Sequence, residues 1–139
     1  MKLYTGANEH GEVYAAAQPC KPTANLEIGL GDPSNPRFKF LELEKKGMFG
    51  KSWKWIMRVE GRGKIEYTWK QTKIAGTGQY ADTKQNIKLV DESGGGTIAV
   101  YFNPGVNGRQ GKFEFHDIMD LNMEVITVIS GLMVAEALG

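Results

Sequence analysis

Two histidines, His10 and His116, and one cysteine, Cys20, are the side chains best suited to nucleophilic or metal chemistry, and they lie far apart in the chain. Metal ligands recur at short intervals, and a nucleophile needs a base and an orienting acid; neither pattern is present. Gly50-Lys51-Ser52 ends like a phosphate-binding P-loop. That motif needs a glycine at position 45, where Lys45 stands, and a helix next, where Trp53-Lys54-Trp55 alternates as a strand does. Gly76-Thr77-Gly78 lacks both the third glycine and the helix of a dinucleotide loop. Asp91-Glu92 pairs two carboxylates, but beside Ser93-Gly94-Gly95-Gly96, a turn where solvated acids are ordinary. The expectation is a non-enzymatic domain with no catalytic residues, no metal and no cofactor.

Charge supplies the one functional candidate. The chain carries a net +1, which draws it to neither nucleic acid nor membrane as a whole. From Arg37 to Lys73, however, eleven cations face four acids, a local +7 balanced by −6 in the remainder. Lys54, Arg58, Lys64 and Lys70 fall opposite an aromatic face and form a basic stripe suited to anionic phospholipid or phosphoinositide head groups. Each cation near an anionic bilayer contributes about 1 kcal/mol, so four give a weak, salt-sensitive attachment. The plain alternative is a solvated hairpin face balanced by Glu60 and Glu66. Stacking of bases on Trp53, Trp55, Tyr67 and Trp69 is disfavoured, because strictly alternating tryptophans are usually core, and no nucleic-acid partner is expected.

The element that must hold this stripe is a hairpin. Trp53, Trp55, Met57 and Val59 share one face of a period-2 run, and Ile65, Tyr67 and Trp69 share one face of the next. Gly61-Arg62-Gly63 joins them as a tight turn. Other alternating runs start at Val13, at Leu26, at Phe38-Phe40, at Ile87, at Ile98 and at Phe113. They are separated by turns such as Gly31-Asp32-Pro33-Ser34-Asn35-Pro36, where proline ends a strand. Eighteen glycines against five prolines fit many short strands.

At Asp117 the period lengthens. Asp120 or Asn122 caps a helix that is apolar around nearly its whole circumference, from Met123 through Leu138. A last strand over Val125–Ile129 is a minor alternative, given its β-branched residues. Glu124 and Glu136 frame only eleven uncharged residues, which makes a poor membrane anchor, so the helix is expected inside the protein. Many strands and one all-apolar helix predict a mainly β fold: a closed antiparallel β-barrel around a central C-terminal helix. At 139 residues the chain fits one domain. The lone cysteine and the absence of an apolar leader point to the cytoplasm.

The order and spacing of Asn25-Leu26-Glu27-Ile28-Gly29-Leu30-Gly31-Asp32-Pro33, Tyr67-Thr68-Trp69-Lys70, Ile87-Lys88-Leu89-Val90-Asp91-Glu92, Ile98-Ala99-Val100-Tyr101-Phe102 and the helix from Met123 to Glu136 resemble the tubby C-terminal-like superfamily. That superfamily includes the phospholipid scramblases and the plant LURP-one-related proteins, and the likeness is strongest to small fungal members. The resemblance covers the chain from about residue 10 onward. It implies a barrel of about a dozen strands around the helix. Its members carry more chain before the segment matching Leu3-Tyr4, and basic residues after the helix, so a first strand is expected to be missing or replaced. Tubby proteins bind phosphoinositides, which implies a peripheral membrane role here; their lipid-binding residues have no one-to-one match in this sequence. The alternative expectation is a scaffold domain recognising a protein, and the oligomeric state is left open.

Overall fold

The computed structural model describes residues 1–4, 13–20, 23, 25–46, 52–59, 61–72, 86–103 and 111–138. Among them, nine strands follow one another in a continuous antiparallel meander: β1 Lys2–Tyr4, β2 Val13–Cys20, β3 Asn25–Leu30, β4 Leu41–Lys46, β5 Ser52–Val59, β6 Gly63–Gln71, β7 Ile87–Asp91, β8 Gly96–Phe102 and β9 Lys112–Phe115. One helix, α1 Leu121–Leu138, ends the chain. The fold is therefore mainly β with a C-terminal helix. The ladder runs from β1 to β9 in sequence order, and among the described residues the sheet is not closed by hydrogen bonds between its two end strands.

The β5–β6 hairpin has the most regular register. Trp53 faces Trp69, Trp55 faces Tyr67, Met57 faces Ile65 and Val59 faces Gly63. Gly61 and Gly63 both adopt positive φ, near 80° and 76°, so the tight reversal needs glycine at these points. The three tryptophans are fully buried, as their alternation demands. Trp55 and Tyr67 pack as a tilted pair, 5.3 Å between ring centroids.

Phe38 and Phe40 lie in the connection before β4 rather than opening it. They pack edge to face on one another at 4.7 Å, an arrangement that a pleated strand does not impose. Leu43 of β4, by contrast, is fully buried in the alternating pattern.

The helix contributes its buried side chains to the apolar core. Asp120 is its N-cap: the carboxylate accepts a hydrogen bond from the Met123 N–H at 2.8 Å. Mean hydropathy of 1.6 over its 18 residues would suit a bilayer. Here ten of those residues, including Ile126, Ile129, Met133 and Val134, are buried against protein. They pack on β2, β3 and β7. Thr127 and Ser130, also inward, satisfy their hydroxyls on the carbonyls of Met123 and Thr127, at 2.7 and 3.2 Å. The Trp69 indole N–H donates to the Ser130 hydroxyl at 2.8 Å, tying β6 to the helix. Gly131 lets the rings close in: a Cβ there would lie 2.8 Å from Phe113 of β9 and 3.0 Å from Trp69. Strands near both ends of the sheet thus meet one helix, so the sheet curves about it.

Candidate functional site

Because Trp53, Trp55, Tyr67 and Trp69 point to the helix, the intervening residues must point out. Arg58 and Lys64 are exposed, and Lys54 and Lys70 are half-buried. All four predicted site residues therefore share the outer face of the β5–β6 hairpin.

They do not share one environment. Lys54 is bound to Glu66 at 2.8 Å, and Lys70 to Glu92 at 2.8 Å. The Glu66 hydrogen bond raises the Lys54 ammonium above the usual lysine range, and the Lys70 hydrogen bond holds the Glu92 carboxyl below the usual carboxylate range. Nearby, Lys45 sits over the Trp53 ring at 5.3 Å, and Lys46 pairs with Glu44 at 3.0 Å. The base of the hairpin thus holds cations already engaged with acids or with an aromatic ring.

At the tip the register places Arg58 directly opposite Lys64. Neither has an ion pair among the described residues. Like charges facing across a ladder are unfavourable, so this pair does not form for the sake of the strands. Ile56, 52% exposed, lies next to Arg58 on the same outer face. Glu60, expected to balance the stripe, lies outside the described residues, as do Lys51 and Lys73.

One acid expected in solvent is buried. Asp91 is only 3% exposed, because the inward period of Ile87 and Leu89 carries it to the inner face, opposite Tyr67. Its carboxylate accepts from the Ser93 N–H at 2.8 Å and pairs with Arg62 at 2.9 Å. Arg62, in the hairpin turn, is thereby committed to the fold. Burial, reinforced by the Asp91 charge, pushes the Tyr67 phenol above the usual tyrosine range.

Asp91, Arg62 and Tyr67 line a cavity of about 390 Å³ between the hairpin tip and the start of α1, with Arg58, Asp117 and Asp120 also on its wall. Ile118, 99% exposed, stands beside it, and Leu121, 58% exposed, follows in the first turn of the helix. Three acids and two arginines make this wall mixed in sign, so it is not an anion trap.

Among the described residues, His116 and Cys20 have separate surroundings. The His116 ring meets Glu114 of β9 at 2.8 Å, and its backbone N–H donates to the Ile98 carbonyl. Cys20 is partly buried, with its thiol 3.9 Å from Glu42. His10, Gly50-Lys51 and Gly76-Thr77-Gly78 lie outside the described residues. Among the described residues, no group of three or more His, Cys, Asp or Glu side chains is placed to hold a metal ion. No family model, curated protein or solved structure matches the chain.

Proposed function

We propose that this chain is a non-enzymatic, tubby C-terminal-like binding domain, a barrel closed around α1, which attaches to anionic phospholipid at the cytoplasmic membrane face. The resemblance of its motifs and the curvature of the sheet about the helix support the barrel. One observation carries the binding reading: Arg58 and Lys64 stand side by side on the outer face, free of ion pairs among the described residues, with exposed Ile56 beside them. A protein that places two cations in register without acids between them leaves their charge for an external anion. Two such cations contribute about 2 kcal/mol at an anionic bilayer, roughly a thirty-fold gain over a neutral one. Lys54 and Lys70 add less, since Glu66 and Glu92 already neutralise them.

Co-sedimentation with neutral, phosphatidylserine-rich and phosphoinositide-containing vesicles, at low and moderate salt, tests this reading. Retention by the anionic vesicles that weakens with salt is the expected result. Equal loss from all three vesicle types at low salt would remove it.

A second reading belongs to a protein-interaction or scaffold domain. Its support is the pairing of Ile118 and Leu121, both exposed, with the mixed-charge cavity at the helix start. Apolar side chains rimmed by charges of both signs suit a protein surface better than a lipid head group. Ile118→Ser would leave vesicle retention unchanged and abolish capture of such a partner.

A further inference from the structure

β4 and β5 are paired over only three positions, Glu44–Lys46 against Ser52–Lys54. Beyond Lys54, β5 continues to Val59 with hydrogen-bonded pairing to β6 alone. Leu41, at the start of β4, pairs instead with Ile28 of β3. The sheet therefore splays between β4 and β5, where Leu41 and Met57 fail to close the ladder.

A cavity of about 280 Å³ occupies this splay. Ile28, Leu30, Leu41, Met57 and Ile126 of α1 bound it, and among the described residues Lys39 is the one charged residue on its wall. Gly29 sets the position of that lysine. A Cβ at Gly29 would lie 2.3 Å from the Phe38 ring and 2.7 Å from the Lys39 carbonyl oxygen, so only glycine lets the 38–39 segment rest on β3. Lys39 itself is exposed and has no ion pair among the described residues.

We infer that this slot binds a single-chain anionic amphiphile, its alkyl tail against Ile28, Leu30, Leu41, Met57 and Ile126 and its carboxylate or phosphate on Lys39. The apolar wall selects a tail, and the lone unpaired ammonium selects the sign of the head. The neighbouring cavity at the hairpin tip shares Met57 but carries Asp91, Asp117 and Asp120, which disfavour an anion there. The inference is independent of the outer basic face, because the ligand is a monomer and needs no bilayer.

Calorimetric titration with decanoate, below its micelle concentration, tests it against decanol and decyltrimethylammonium. Decanoate should bind one per chain, at least roughly tenfold more tightly than the cationic analogue, the worth of one charge-assisted contact. Lys39→Glu, at an exposed position, should reverse that preference, and Leu41→Trp should fill the slot and abolish binding of all three. Thermal unfolding of each variant confirms that it is folded. Absence of saturable decanoate binding to the wild-type chain, or an unchanged preference in folded Lys39→Glu, overturns the inference. Arg58→Gln/Lys64→Gln should leave the titration untouched, which separates a failure here from a failure of membrane attachment.

Discussion

The two ends of one hairpin face treat the same residue type in opposite ways. At the base, Lys54 and Lys70 are held by Glu66 and Glu92, and Lys45 lies on Trp53. At the tip, Arg58 faces Lys64, and neither has an ion pair among the described residues. A count of charges along the chain makes both ends equal contributors to the basic stripe. The cross-strand geometry divides them into cations held in ion pairs within the fold and cations with no ion pair among the described residues. Among the acids, Asp91 is buried and paired with Arg62, whereas the exposed Asp117 and Asp120 accept the backbone N–H groups of Ile118 and Met123 beside the cavity mouth.

Substitutions at the base and core should strike stability, and those at the tip should strike binding. The largest effect belongs to Trp69→Ala. It removes a fully buried indole and its bond to Ser130, and should cost about 3–5 kcal/mol in urea unfolding. Asp91→Ala comes next, at roughly 1–3 kcal/mol, because it strips the Ser93 turn and Arg62 of their acceptor; half-exposed Arg62 recovers water, which keeps the cost below that of a fully buried pair. Ser130→Ala should cost about 1–2 kcal/mol by leaving the buried Trp69 N–H unpaired.

Lys64→Glu sharpens the comparison further, because stability and binding should move in opposite directions. It places a carboxylate across from Arg58 and should raise the unfolding midpoint by the equivalent of a few tenths of a kcal/mol, while lowering retention on anionic vesicles. A substitution at the base that gained stability in the same way would erase the distinction between the two ends.

The smallest effect is a pH dependence. Lys70 holds the Glu92 carboxyl below its usual range, so the pair's contribution is complete above the unfolded carboxyl pKa and is lost as pH falls through the folded one. Both side chains are substantially exposed, which limits the contribution to a few tenths of a kcal/mol. Glu92→Gln should therefore differ from the wild-type chain at neutral pH and converge with it in acid, in matched denaturant titrations.

Much of this fold was legible because alternation survives tertiary packing. The hairpin, its turn and its tryptophan face follow from residues 53 to 69, and the helix follows from its change of period at Asp117. Asp91 reads as solvated from the glycine turn beside it, but the inward period of Ile87 and Leu89 reaches it and decides its burial. Phe38 and Phe40 mimic a strand at period two, but Gly29 draws their segment onto β3 as a connection. The ion pairs of Lys54 and Lys70 were beyond a linear reading: Lys70 meets Glu92, a residue of another turn that only the β6–β7 register brings near.

The central claim is that the tip, rather than the whole stripe, meets the anionic surface. Vesicle retention of Arg58→Gln/Lys64→Gln measured beside Lys54→Gln/Lys70→Gln tests it most directly, since both variants lose two positive charges. The tip variant should lose roughly thirty-fold in partitioning to phosphatidylserine-rich vesicles, and the base variant far less. Equal loss from both would mean that only net charge matters, and would contradict it.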